Sequence, residues 1–198
     1  MARFGFLFML WLCAALIAQQ QVRAEDSEKP LMLIAAPGLM DPEYRQSVLL
    51  AVPAAHGGHI GIILNKPTQH TLASLFPNQE ASKKVTEPVF FGGPFSTNAL
   101  IAAVHSHSSP GPGCVGLMED VFLAVHVGTI DEIIEQRPNT ARYYLGYVAW
   151  QPGELREEIN RGMWTVREAD ARVVFRKDVG NLWLELMRAS RQVTASLE

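Results

Sequence analysis

Apolar residues in this chain fall into short runs cut by proline, glycine and asparagine, which predicts many brief strands and few long helices. The run 31–36 reads as a continuous strand stopped by Pro37-Gly38, and Asp41-Pro42 follows as a turn or helical start capped by Asp41. Runs 47–52 and 60–64 flank a segment containing Gly57-Gly58, the signature of a β-hairpin, and 65–68 closes its second strand. One or two helical turns are expected over 71–76, then polar connection over 83–88. Val89-Phe90-Phe91 forms a short strand entering Gly92-Gly93-Pro94, and 100–104 forms another. The composition of 105–114 forbids a regular element and predicts a long surface loop. Beyond it come a strand over 121–127 and a helix over 129–137, with Thr129 as cap and Glu132 as its capping-box partner.

The clearest local grammar lies in 145–164. A buried strand, 145–150, breaks at Gln151-Pro152-Gly153, with Pro152 suited to the first turn of a helix where a missing N–H costs nothing. Leu155, Ile159 and Met163 then recur every four residues as one apolar stripe, Gly162 ends the helix, and Trp164 opens the next buried element. A last helix capped by Asp178 carries Val179, Leu182, Trp183, Leu186 and Met187 on one face, and 191–198 has no packing signal.

The N-terminus changes the picture. Arg3 precedes an uncharged apolar run over 4–17, shorter than the roughly 20 residues that span a bilayer, and Val22-Arg23-Ala24 follows. This pattern predicts a secretory signal peptide over 1–24 cleaved after Ala24, a flexible start over 25–30, one domain over 31–190 and a tail over 191–198. The alternative is a retained N-terminal anchor. Cleavage removes Arg3 and Arg23, leaving 15 basic against 20 acidic residues, so the net charge moves from −3 to near −5. Such a chain lacks the basic footprint of a nucleic-acid binder, and no stable membrane segment would remain. Of the two cysteines only Cys114 would stay, so no internal disulfide is available, and a small buried hydrophobe is the preferred role for it.

Candidate chemistry is sparse. His105 and His107 flank a serine and in a strand would face the same side, as two metal ligands can, but a zinc site needs a third ligand, so local hydrogen bonding is preferred and no metal is assigned. Cys114 with either histidine would make a nucleophile and base only if its thiol were exposed and acidified. Gly92-Gly93 after a strand offers amides to an anion, without the Gly-Lys-Ser/Thr of a phosphate loop. Should Asn65-Lys66 meet those glycines, the four would line a small polar pocket, so the candidate ligand-binding residues are Asn65, Lys66, Gly92, Gly93, His105 and His107. Glu154 and Glu158 share a helix face and read as solvated charge among Arg156, Glu157 and Arg161. No catalytic residue and no cofactor are assigned.

The pieces LMLIAAPGLMDPEYRQSV, GIILNKPT, FFGGP, VHSHS and LGYVAWQPGELREEINRGMW, in this order over roughly 31–183, resemble the YqgE/AlgH family of bacterial proteins. The resemblance implies an α+β domain with a bent, branching, mostly antiparallel sheet folded toward a pseudo-barrel and flanked by helices. It implies no settled activity, the family being described as uncharacterised or as transcriptional regulators. Ala149 stands where the family has glycine, 52–55 is apolar where the family is polar and acidic, and the signal peptide departs from a cytoplasmic family. The preferred expectation is an exported, periplasmic or secreted protein that binds an unidentified small ligand or protein without catalysis and does not touch nucleic acid. The alternatives are a cytoplasmic transcriptional regulator, or a hydrolase or redox protein using Cys114 or the His105/His107 loop.

Overall fold

The computed structural model describes residues 29–54 and 57–195, so the segment 1–24, most of 25–30, His56 and the last three residues of the expected tail lie outside the described residues. Ten strands form one sheet: β1 Leu31–Ala35, β2 Val48–Pro53, β3 His59–Ile63, β4 Pro67–Thr71, β5 Pro88–Phe91, β6 Phe95–His105, β7 Cys114–Met118, β8 Val121–Ala124, β9 Ala141–Trp150 and β10 Trp164–Glu168. Among the described residues five α-helices pack around it: α1 Leu72–Leu75, α2 Val127–Gln136, α3 Glu154–Asn160, α4 Ala171–Val174 and α5 Leu182–Ala195. The main path runs β10-β1-β2-β3-β9-β6-β8-β7, with β4 and β5 branching from β9. Every pairing is antiparallel except β5 with β9, and the sheet curls into a half-barrel, the expected α+β architecture. No helix among the described residues is long and apolar enough to cross a membrane.

Strands β1 to β3 are buried on both faces, which is why their sequences are continuous apolar runs. Met32, Leu50 and Ile62 join the core inside the curl with Phe90, Tyr144 and Leu182, whereas Leu33, Leu49 and Ile63 pack on the outer face with Trp150, Leu155 and Trp164. A third cluster packs Ile130, Ile133 and Ile134 of α2 on Ala102, Val104 and Tyr143. Helix α5 is pinned to β1 by the Trp183 indole N–H, which donates to the Ala35 carbonyl at 2.8 Å.

The branch depends on glycine. One edge of β9 pairs with β6, and the other is divided between β5 at Tyr144 and Leu145 and β3 at Val148 to Trp150. The Gly92 N–H donates to the Leu145 carbonyl at 2.7 Å, and the Gly92 carbonyl accepts the Ile63 N–H at 2.9 Å, stitching β5 between β9 and β3. A Cβ on Gly92 would overlap the Gly146 carbonyl, and one on Gly146 would overlap the Gly93 carbonyl, with Gly146 at φ +71° besides.

Several expected boundaries move. Residues 67–71 form a strand, where only the close of a hairpin was expected, because they pair with β5. Cys114 starts β7 and lies outside the loop, since its partner Ala124 holds it in register. Thr129 lies inside α2, whose N-cap is His126, and its hydroxyl donates to the Pro112 carbonyl at 2.7 Å, trading a capping role for a tie to the loop. Pro152 precedes α3, because Gly153 takes a left-handed conformation at the N-cap. Helix α5 continues through 191–195, where the sequence shows no apolar stripe to announce it.

Gly146→Ala should destabilise the protein by about 3 kcal/mol, the combined effect of a left-handed φ and an overlap with backbone that cannot move aside. Urea unfolding against the parent checks this, and a shift below about 0.5 kcal/mol would contradict the branch geometry.

Candidate functional site

The sequence-predicted residues divide into two groups. Asn65-Lys66 and Gly92-Gly93 do meet, since the Phe91 N–H donates to the Lys66 carbonyl at 2.8 Å. Their polar atoms are engaged by the protein itself. The Asn65 side chain accepts the Val48 N–H at 2.8 Å and donates to the Gln46 carbonyl at 2.9 Å. Lys66 Nζ donates to the carbonyls of Pro42 and Glu43 at 3.1 and 2.5 Å, and burial, with Arg45 nearby, lowers its pKa. These side chains fasten the connection between β1 and β2, and the Gly92 amide serves the sheet.

His105 and His107 sit elsewhere, at the end of β6 and in the following loop. The His105 ring lies edge-on to Phe175 at 6.0 Å and to His107 at 6.3 Å, and His107 Nδ1 is 2.9 Å from the Asp120 carboxylate, with its side chain 90% exposed. No group of three metal-ligating side chains occurs among the described residues. Cys114 is half-buried, and burial pushes its thiol pKa up against the opposing pull of the Gly111 backbone, Ser109 and Arg137. A raised pKa keeps it a thiol at neutral pH, the reverse of what a nucleophile needs.

His105 also borders a cleft of about 510 Å³ that reaches Glu87, Arg142 and Lys177. Arg142 is only 3% exposed, and its charge is met on every side. Its Nε and Nη2 donate to Glu87 Oε2 at 3.1 and 3.0 Å, Nη1 donates to the Val174 carbonyl at 2.9 Å, and Nη2 to the Arg176 carbonyl at 2.6 Å. The guanidinium also stands 4.7 Å from the Phe90 ring centre. So bonded, Arg142 ties β9 to the segment after α4 and has little left for a ligand. The Tyr144 hydroxyl is buried beside it, and burial raises its pKa against the opposing pull of Arg142.

A larger cleft, about 690 Å³, opens between α3, the start of β1 and the end of β10. Leu31, Leu155, Ile159 and Val166 supply its apolar surface, and Lys29, Arg156, Arg167 and Glu168 its charges. Its wall is held by Glu158, whose Oε2 accepts the indole N–H of Trp150 at 2.9 Å and of Trp164 at 2.8 Å. This corrects the expectation of a solvated carboxylate pair. Glu158 is half-buried and clamps α3 to β9 and β10, while Glu154 caps the turn by accepting the Gln151 N–H at 2.8 Å. Each bond to a charged acceptor is worth about 1.5–3 kcal/mol. Tyr44 stands edge-on to Trp164 at 6.1 Å, and its pKa is pushed up to about 12 by burial and by the carboxylates of Glu43, Asp41, Glu158 and Glu154.

Sequence reading missed Glu87, Arg142, Arg156 and Arg167 as residues of clefts. Arg142 carried a signal, being the one charge in the aromatic strand β9.

The curled, branched sheet and the helices packed against it define a half-barrel α+β domain. The chain belongs to the AlgH-like family, whose model matches residues 32–193. It is 26% identical over 161 residues to the UPF0301 protein of Chlorobaculum tepidum, covering 80% of this chain and 84% of that one. With the UPF0301 protein of Saccharophagus degradans it shares 29% over 160 residues, covering 79% and 78%. Among solved structures it is similar to the AlgH protein of Pseudomonas aeruginosa, with TM-score 0.65, 22% identity and coverage of 83% and 88%. A protein from Corynebacterium diphtheriae matches with TM-score 0.68, 20% identity and coverage of 82% and 86%. At these identities the two structures speak to the fold.

Tyr44, Tyr143 and Tyr144 all have phenol pKa values raised by burial. The folded state therefore holds protons that the unfolded chain releases above about pH 10. Stability should be flat through neutral pH and fall as pH rises from about 10. Urea midpoints between pH 8 and 11.5 check this, and a stability that rises over that range would contradict the burial of these rings.

Proposed function

We propose that this protein is exported, loses residues 1–24 and works outside the cytoplasm as a binding protein, with the α3–β10 cleft as its ligand site. The observation that carries the reading is the cleft itself. Its volume of about 690 Å³ lies within the range of small-molecule sites, and it joins an apolar floor to a few charged groups, the combination that gives affinity from burial and orientation from polarity. Its wall is preorganised by the Glu158 bonds to Trp150 and Trp164, so binding would require little ordering of the protein.

Export is supported by the order of positive start, short apolar run and small-x-small ending over 1–24, and a mature net charge near −5 counts against a nucleic-acid surface. A role in binding is favoured over catalysis by Cys114, whose thiol is held protonated. A hydrolase or redox role for Cys114 or for His105 and His107 predicts that Cys114→Ser or His107→Ala abolishes the cellular phenotype, whereas the binding reading predicts that both variants retain it.

Intact mass of the protein recovered separately from periplasmic and cytoplasmic fractions tests export. The expected species is periplasmic and begins at Glu25. Full-length protein confined to the cytoplasm would overturn the reading and favour a regulatory role there.

A further inference from the structure

The α3–β10 cleft concentrates positive charge in a chain whose acids outnumber its bases, 20 to 17. Lys29, Arg156 and Arg167 line it, against Glu168 as its only carboxylate among the described residues. Four cations elsewhere pair with carboxylates: Lys83 with Glu80, Arg142 with Glu87, Arg172 with Asp170 and Arg176 with Glu185. None of the three cleft cations has such a pair among the described residues. Arg167 stands at the sheet's edge, in register with Met32 and so on the opposite face of β10 from Val166, and one of its guanidinium nitrogens, Nη1, is buried without an acceptor. Beside these charges lie Leu31 of β1, Ile159 of α3 and Val166 of β10, and Val166 is 38% exposed although it pairs with Leu33.

We infer that this cleft takes a small amphipathic anion, a single carboxylate or phosphate head joined to a short apolar body. The head is held by Arg156 and Lys29, and the body covers Leu31, Ile159 and Val166. The inference rests on the reading of this cleft as the ligand site and specifies what that site accepts. Lys29 and Arg156 against Glu168 select the sign of the head, since a positive head would face both cations in a partly desolvated space. A purely polar anion would leave the apolar floor wet, and a neutral alkane chain would leave the cations without the partner that the protein withholds. The volume limits the body to small-molecule size.

Isothermal titration calorimetry of the purified protein with octanoate, octyl phosphate, 1-octanol and octylammonium tests this. Octanoate or octyl phosphate should bind at least tenfold more tightly than octanol, octylammonium should bind most weakly, and raised salt should weaken the anions. Whichever head is preferred identifies the carboxylate or the phosphate class. Arg156→Gln, on the exposed face of α3, should weaken the anion about tenfold, and Glu168→Gln should strengthen it while leaving the fold unchanged. Equal binding of octanol and the anions, unaffected by either substitution, would overturn the anion assignment and leave the cleft as a ligand site. No heat with any of the four, in protein whose thermal unfolding is normal, would overturn both.

Discussion

Strand β9 has two edges and three neighbours, and the rest of the fold follows from how it shares them. Along one edge it pairs with β6, and along the other it serves β5 and then β3. Two strands fit on one edge only because Gly92, Gly93 and Gly146 let three backbones approach where any Cβ would collide. The resulting branch divides the sheet into a part that curls around the core of Phe90, Tyr144 and Leu182 and a part that carries Trp150 outward to meet α3. Because β9 ends in Trp150 and the chain turns at Gly153, α3 lies back across the sheet and delivers the chain to β10, which closes against β1.

Two charged side chains do opposite work within this frame. Arg142, at the start of β9, is enclosed and satisfied by Glu87 and by the carbonyls of Val174, at the end of α4, and Arg176, just beyond it, so it stiffens its end of the molecule. Glu158, just past the other end of β9, gives both of its bonds to indoles, and these hold α3 at a fixed height above the sheet. That height leaves room for the larger cleft. The cations of that cleft lack the carboxylate partner that Arg142 has, and the proposal of a ligand site there rests on this contrast.

The sequence was most legible where local chemistry and tertiary packing agree. The hairpin of β2 and β3, the strand-turn-helix unit through Trp164 and the short helix within 71–76 all formed as their residues indicate. Strands β4 and β7 were not legible, because each is short and owes its existence to a distant partner, β5 in one case and β8 in the other. Thr129 offered a cap by spacing alone, and the Pro112 carbonyl competed for its hydroxyl. The candidate site was less legible still. Asn65 and Lys66 look available in sequence because their partners are main-chain carbonyls and amides, which carry no sequence signal. Glu158 looks solvated among its charged neighbours, and only the return of Trp164 beside Trp150 shows otherwise. Lys29, Arg156 and Arg167 come from three separate segments, so no spacing rule could have grouped them.

The account stands or falls on where an amphipathic anion settles. Amide chemical-shift mapping of the labelled protein with octanoate locates it directly. The account predicts perturbations at Leu155, Arg156, Ile159, Val166 and Glu168, with Gly92, His105 and Arg142 unmoved. Perturbations gathered around His105, Glu87 and Arg142 instead would place the ligand in the other cleft and contradict it.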